Sequence, residues 1–186
     1  MTALARTGKK IDRLAELESR HGTYAVLGNH DYGYLWCSDH VQCAGILEQR
    51  LEQLNITVLR NEHEVLEINK QKFLLAGLDD PWSGMSNYSA AVEGSPELPK
   101  IILAHNQMSV IKENLEGKNL ILSGHTHCGD IYIPFFTDFI LKQTRFSDHT
   151  RGRVRINEES ELYVTCGLVH SVRLFTNPEI SVLNIE

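Results

Sequence analysis

The chain has 186 residues, of which 42% are hydrophobic and 23% are charged, which is typical of one ordinary globular domain. Its net charge is -6 and it has no basic cluster, so a nucleic-acid-binding surface is not expected. No window has the length of apolar sequence that a membrane span needs, and residues 1–20 lack the apolar stretch of a signal peptide. For the chain as given, this predicts a cytoplasmic location, and a signal upstream of Met1 would change it.

The four cysteines show no C-x-x-C spacing. Free thiols in a reducing compartment are the simpler prediction. A cysteine nucleophile at Cys128 beside His127 is not favoured, because no orienting group or oxyanion hole accompanies the pair.

The first half of the chain predicts helices and strands in alternation. Apolar residues at helical spacing predict a helix over residues 9–20, and Ser38-Asp39 offers the N-cap of a second helix over residues 40–54. Asn69-Lys70-Gln71 predicts a hairpin between two strands. The predicted strands cover residues 24–27, 56–59, 64–68 and 72–78.

The second half is less regular. Pro and Gly residues predict a loop-rich segment over residues 79–99 with one short helix near 88–92. A helix is expected over residues 108–115, whereas residues 134–152 give no clear pattern. The other predicted strands cover residues 101–104, 120–122, 162–165, 172–175 and 180–185.

Three apolar strands each end in a polar cluster. The clusters are Gly28-Asn29-His30-Asp31, His105-Asn106 and Gly124-His125-Thr126-His127. In an open α/β sheet such strand ends converge on one crevice, and imidazole is the commonest side-chain ligand of transition metals. The sequence therefore predicts a metal site. In the third cluster, Gly124 is expected to let the backbone turn.

Each cluster also has a plain structural alternative. His125 and His127 could be solvent-facing residues of a turn, and His105 could be a core histidine with satisfied hydrogen bonds. Asn29 could be a turn residue in the left-handed conformation. His30 and Asp31 could be a helix-capping pair.

In this order, GNHD, AHN and GHTH resemble the later motifs of the calcineurin-like metallophosphoesterases. Residues 162–185 further resemble the bacterial YkuE-type phosphodiesterase branch. The family begins with strands ending in D-x-H and G-D-x-x-D, and nothing before Gly28 matches either motif. The resemblance implies an α/β layered sandwich of mixed β-sheets flanked by helices. We expect residues 1–186 to form a single such domain, missing its first two strand-helix units.

The resemblance also assigns roles to the clusters. Asn29, His105 and His125 would be ligands of one divalent cation, and His127 would be a ligand of a second. The cations would be Mn, Zn, Fe or Mg, and a metal-activated water would hydrolyse a small phosphate mono- or diester. His30 would act as a proton donor or charge stabiliser at the leaving oxygen, and Asp31 would orient its imidazole.

The absent motifs would have supplied carboxylates, one of which bridges the two metals in the family. Two divalent cations about 3.5 Å apart repel by roughly 19 kcal/mol at an effective dielectric of about 20, and four neutral ligands do not cancel this. One cation on Asn29, His105 and His125 remains workable. At Gln107, Cys128 and Asp130 the sequence also differs from the residues that are usual in the YkuE-type branch.

Two functional hypotheses follow. The first is a metal-dependent phosphoesterase, and the alternative is a non-catalytic remnant or a metal-binding module completed by a partner. Without the first two strand units, the strand over residues 24–27 would leave a sheet edge uncovered. Such an edge favours self-association or pairing with a partner chain.

Overall fold

A computed structural model of the chain describes residues 11–33, 39–128, 151–168 and 177–185. Two helices and eight strands lie in these ranges. The helices are α1 (His40–Glu52) and α2 (Tyr88–Val92). The strands are β1 (Thr23–Ala25), β2 (Ile56–Val58), β3 (Glu62–Ile68), β4 (Gln71–Leu78), β5 (Lys100–Ala104), β6 (Asn119–Ser123), β7 (Gly152–Arg155) and β8 (Ser160–Val164).

The strands form two sheets. The larger has the order β3-β4-β5-β6-β8-β7, in which β4, β5, β6 and β8 are parallel and the two edge strands are antiparallel to their neighbours. The smaller is the parallel pair β1-β2. This is the α/β arrangement of mixed sheets flanked by helices that the sequence predicted.

Each sheet has its own apolar core. Central strands of the larger sheet are buried on both faces, which explains the continuous apolar run of β4. The larger core comprises Leu74, Ala76, Leu78, Ala91, Ile102, Ala104, Val110, Leu115, Ile121, Leu162 and Val164. The smaller core lies between α1 and the β1-β2 pair and comprises Leu27, Tyr32, Ala44, Leu51, Ile56 and Val58.

Local signals account for most of these boundaries. The Asp39 carboxylate accepts a hydrogen bond from the Gln42 N–H at 3.0 Å, so α1 begins at the predicted cap. The hairpin between β3 and β4 turns at Asn69 and Lys70, which both have positive φ. The short helix α2 also lies where the sequence placed it.

Three predicted elements are wrong. In the segment predicted as a helix over residues 9–20, the described residues contain a 3-10 turn, Asp12–Glu16. Leu14 and Leu17 are exposed, so a helix here would have little apolar surface to bury. Residues 108–115 hold only the end of a 3-10 turn, Gln107–Ser109, although Val110 and Leu115 are buried in the core as their spacing suggested. Residues 180–185 form no strand, and most of their apolar side chains face solvent.

Some predictions lie outside the described residues. Among them are the strand over residues 172–175 and the difference from the YkuE-type branch at Asp130. Within the described ranges, no helix is both long enough and apolar enough to cross a membrane. In the same ranges β1 pairs with β2 alone, so pairing of another chain at its other edge stays a prediction.

Candidate metal centre

Two of the three polar clusters lie side by side at the carboxyl ends of parallel strands in the larger sheet. Leu78 of β4 pairs with Ala104 of β5, and Ala104 pairs with Ser123 of β6. The residues that follow these positions therefore leave the sheet side by side. The Gly124 N–H donates to the His105 carbonyl at 3.0 Å, which holds the second and third clusters together.

His105 lies at the centre of the site. Its Nε2 atom is 3.1 Å from Asn29 Oδ1 and 3.1 Å from His125 Nδ1. Ligands about 2.1 Å from one cation lie roughly 3.0–3.4 Å apart in octahedral or tetrahedral coordination. Both separations from His105 Nε2 therefore fit the ligand shell of one divalent cation. The three residues join the turn after β1 to the ends of β5 and β6.

The other two predicted histidines are close by. His30 and His127 both interact electrostatically with His105 and with His125. His30 is exposed, whereas His127 is half-buried. The structure thus brings together all four histidines to which the sequence assigned a role at the site.

The site keeps its central histidines neutral. Burial, with a smaller contribution from the charges on His127 and His30, lowers the pKa of His105 to about 4. Burial and the neighbouring His105 likewise lower the pKa of His125 to about 4. Both rings are therefore unprotonated near pH 7 and offer a lone pair, which is the form that binds metals.

Gly28 allows a close approach between backbone and side chain in the site. A Cβ atom at this position would lie 2.7 Å from three atoms of the His105 ring, closer than real Cβ contacts. The His105 ring therefore packs on the bare backbone just before Asn29. The side chain of Asp31 closes the same turn, since its Oδ2 accepts a hydrogen bond from the Gly28 N–H at 2.8 Å.

This hydrogen bond gives Asp31 the capping role that the sequence left as an alternative. Asp31 also interacts electrostatically with His30, its predicted partner, and burial raises the pKa of its carboxyl group. Asn29 does not have the left-handed backbone considered as its other role. Its side chain points to His105, and the residue is only 7% exposed.

The third cluster turns in an unexpected way. His125, His127 and Cys128 have φ values of 68°, 51° and 58°, in the left-handed region that side chains with a Cβ seldom adopt. Gly124, which was expected to permit the turn, does not have positive φ, so that prediction was wrong. Each such residue costs about 1–3 kcal/mol and persists when surrounding structure enforces it.

A disulfide bond ties the end of this turn to another part of the chain. Cys128 is bonded to Cys166 in the segment after β8, and the prediction of free thiols was therefore wrong. The two cysteines are far apart in sequence and meet because β6 and β8 are parallel neighbours. Glu179 fixes the segment further, since its carboxylate accepts hydrogen bonds from the Cys166 N–H and the Tyr163 hydroxyl.

The turn after β1 is fixed by a buried polar network. The Tyr32 hydroxyl donates to Asp79 Oδ1 at 2.5 Å, and the Arg60 guanidinium lies 3.3 Å from the same carboxylate and 2.9 Å from Glu48. Burial and the bond to Asp79 raise the pKa of Tyr32 to about 12. The network links the smaller sheet, α1 and the end of β4.

Sequence reasoning missed Asp80 and Trp82, which it assigned to a loop. Asp80 is completely buried and interacts electrostatically with His125. The Trp82 ring packs edge-on against the His125 ring, with 4.5 Å between their centroids. The signal was present, because Asp79-Asp80 follows an apolar strand just as the three recognised clusters do.

Comparison with known proteins supports the resemblance noted in the sequence. The chain is 29% identical over 176 residues to phosphodiesterase YaeI of Escherichia coli, an alignment that covers 94% of the chain and 62% of YaeI. It is 32% identical to a transmembrane protein with metallophosphoesterase domain from Bos taurus, over 93% of the chain and 40% of that protein. It is 28% identical to the metallophosphoesterase YkuE of Bacillus subtilis, over 95% of the chain and 60% of YkuE.

No protein-family model and no solved structure matches the chain. The chain spans less than two thirds of the length of each of these three relatives. All three nevertheless align with nearly the whole chain, in the part that contains the motifs GNHD, AHN and GHTH. With its α/β fold, these matches place the chain in the calcineurin-like metallophosphoesterase family.

Proposed function

We propose that this protein is a metal-dependent phosphoesterase that hydrolyses phosphate mono- or diesters. The observation that carries the proposal is that Asn29 Oδ1 and His125 Nδ1 each lie 3.1 Å from His105 Nε2. The names of the relatives support it, since one is a phosphodiesterase and the others are metallophosphoesterases.

The donor atoms favour a transition metal. Two imidazole nitrogens and one amide oxygen suit Mn²⁺, Zn²⁺ or Fe²⁺ better than Mg²⁺, which prefers carboxylates and water. A divalent cation held there would supply Lewis acidity toward a phosphate oxygen and would lower the pKa of water.

The remaining groups of the site would act on the substrate. His30 is exposed beside the two half-buried histidines, so its ring can reach a bound phosphate ester and donate a proton to the leaving oxygen. Asp31 interacts electrostatically with the His30 ring, the role in which it would orient the imidazole. His127 lies in the same turn as His125, interacts electrostatically with His105 and His125, and would contribute to the binding of a second cation or of the phosphate itself.

Hydrolysis assays with matched histidine variants test the proposal. The purified chain is stripped with a chelator and assayed with p-nitrophenyl phosphate and bis(p-nitrophenyl) phosphate, with and without added Mn²⁺ or Zn²⁺. We expect hydrolysis that requires the metal and falls at least a hundredfold in His125→Ala. The control is His21→Ala, which changes an exposed histidine away from the site and should leave the rate unchanged.

Two results would contradict the proposal. Hydrolysis that persists unchanged in His125→Ala would place the activity elsewhere in the preparation. Metal binding that requires His105 and His125 but produces no hydrolysis of either ester would favour the alternative of a non-catalytic metal-binding module.

A further inference from the structure

The carboxylate of Asp80 is completely buried and only half satisfied. Its Oδ1 accepts a hydrogen bond from the Trp82 N–H at 2.8 Å, whereas its Oδ2 has no hydrogen-bond partner. Buried polar atoms in folded proteins nearly always have a partner, because leaving one desolvated and unpaired is costly. An unpaired carboxylate oxygen in a fully buried position therefore suggests that a ligand belongs beside it.

The position of Asp80 relates this oxygen to the metal centre. Asp80 follows β4, whose end lies next to the end of β5, and His105 follows β5. Trp82, two residues after Asp80, lies with its ring against His125. The 3-10 turn that begins after Asp80 (Pro81–Ser83) also contacts the one that contains Asn29 (Asn29–Tyr32). Asp80 thus adjoins elements that bear all three proposed ligands.

The neighbouring Asp79 shows what a purely structural carboxylate looks like in this environment. It is also buried, but it accepts hydrogen bonds from the Tyr32 hydroxyl and from Arg60. Its charge is therefore balanced within the protein. Among the described residues, Asp80 has no corresponding basic partner, and its electrostatic partners are His125 and the acidic Asp31 and Asp79.

We propose that Asp80 is the charge-balancing carboxylate of the metal centre, a role that no motif of the sequence assigned. The inference rests on the proposed function, since it requires a cation on Asn29, His105 and His125. Those three ligands are neutral, so a divalent cation among them would keep its full charge in a partly buried site. A buried carboxylate beside His125 offsets that charge, and the cation in turn stabilises the ionised form of Asp80. As a positioning residue, Asp80 acts on affinity rather than on the reacting atoms.

The substitution Asp80→Asn tests this inference by removing the charge while keeping the shape and the acceptor for the Trp82 N–H. Isothermal titration of chelator-stripped protein with Mn²⁺ should show at least a tenfold weaker affinity than the wild-type chain. Thermal unfolding without metal should show an unchanged or higher Tm, because an uncompensated buried charge has been removed. A residue with a merely structural role would not give this combination.

The matched control is Asp79→Asn, which alters the adjacent buried carboxylate. It should lower the Tm of the metal-free protein, because it disrupts the bonds to Tyr32 and Arg60, whereas Asp80→Asn should leave that Tm unchanged or raise it. Should Asp80→Asn fail to fold, Asp80→Ser removes the same charge with a smaller side chain and the same expected loss of affinity.

The outcomes separate this inference from the proposed function. Equal Mn²⁺ affinity in wild-type protein and in the Asp80 variant, with metal-dependent hydrolysis in both, would overturn the role of Asp80 and leave the phosphoesterase proposal intact. A wild-type chain that binds no Mn²⁺ would overturn both.

Discussion

Two turns bring ligands to the candidate metal centre, and they are held in place by different means. The turn Asn29–Tyr32 has ordinary backbone angles and is anchored by hydrogen bonds and ion pairs, through Asp31 to Gly28 and through Tyr32 to Asp79. The turn that contains His125 and His127 has three residues in the left-handed region, and a disulfide bond ties its last described residue to the segment after β8.

The difference shows how one site can combine a relaxed and a strained component. Noncovalent anchors suffice where the backbone is already at a minimum of conformational energy, because they need only exclude alternative positions of the turn. Where several residues cost about 1–3 kcal/mol each, a covalent link removes the extended conformations to which the turn would otherwise relax. Each turn should therefore depend on its own anchor.

The largest expected effect comes from removing the disulfide. The two cysteines are 38 residues apart in sequence, so the chain-entropy relation gives a loss of roughly 4 kcal/mol in unfolding free energy for Cys128→Ser/Cys166→Ser. Mn²⁺ affinity should fall as well, because the histidines of the turn are no longer held. Urea unfolding and titration of the oxidised proteins measure both.

Since Cys43 is also disulfide-bonded, a reductant would act on more than one bond, and the double variant is the cleaner test. Cys128→Ala/Cys166→Ala is the matched control and should lose a similar amount, because the covalent link rather than the sulfur atoms is what both variants lack. A loss below about 1 kcal/mol in both would show that other contacts enforce the strained turn.

The next largest effect concerns the anchor of the other turn. Arg60→Met leaves the Asp79 carboxylate buried with no cation and with only the Tyr32 hydroxyl donating to it, and removing one member of a buried ion pair costs about 3 kcal/mol. The control is Lys72→Met, which breaks the exposed pair with Glu67 and should cost less than about 1 kcal/mol. If the two variants lost the same stability in urea unfolding, the network would not be what anchors the Asn29 turn.

The sequence predicted which residues would come together better than it predicted how they are held in place. Apolar runs followed by His105 and His125 predicted adjacent strand ends, because parallel strands align their carboxyl ends. Asn29 reaches them from the smaller sheet, by contacts that the strand pattern does not reveal. Asp80 obeyed the same pattern but was assigned to a loop because of the Pro and Gly residues that follow it.

The remaining errors have physical causes that one sequence does not reveal. The disulfide depends on which strands become neighbours, and residues between Cys128 and Cys166 carry no signal of that pairing. The strained φ values of His125 and His127 arise from tertiary enforcement against local preference. The helix predicted over residues 108–115 failed because buried positions recur at helical spacing in an irregular segment too.

A smaller effect is expected at Gly28, where the two turns meet through His105. Gly28→Ala places a methyl group 2.7 Å from the ring, which must move away from Asn29 at a cost of about 1–3 kcal/mol. Gly45→Ala in α1 is the matched control, because nothing lies within 4 Å of its added methyl group, and it should stabilise the protein by about 0.5–1 kcal/mol. Thermal unfolding measures the stability of both variants, and titration measures their Mn²⁺ affinity. A Gly28→Ala protein that keeps wild-type Mn²⁺ affinity would show that the His105 ring has room to adjust.

The smallest effect is the pH dependence of the metal-free protein. His105 has a native pKa of about 4 against an ordinary value of 6.5, so between these pH values the unfolded chain binds a proton that the native state does not. Stability from this residue is therefore complete above about pH 7 and is lost as the pH falls from about 6.5 toward 4. Because the ring is only half-buried, we expect a loss near 1 kcal/mol rather than the full linkage value. The carboxyl groups of Asp31 and Asp80 have pKa values raised by burial and oppose this trend, since their protonation as the pH falls stabilises the native state.

Comparison of the wild-type chain with His105→Asn isolates the histidine contribution. The wild type should lose stability relative to the variant between about pH 6.5 and pH 4, with the two stability curves parallel above pH 7. Curves that stayed parallel down to pH 4 would mean that His105 titrates normally, and that the site does not hold its central ligand in the neutral form.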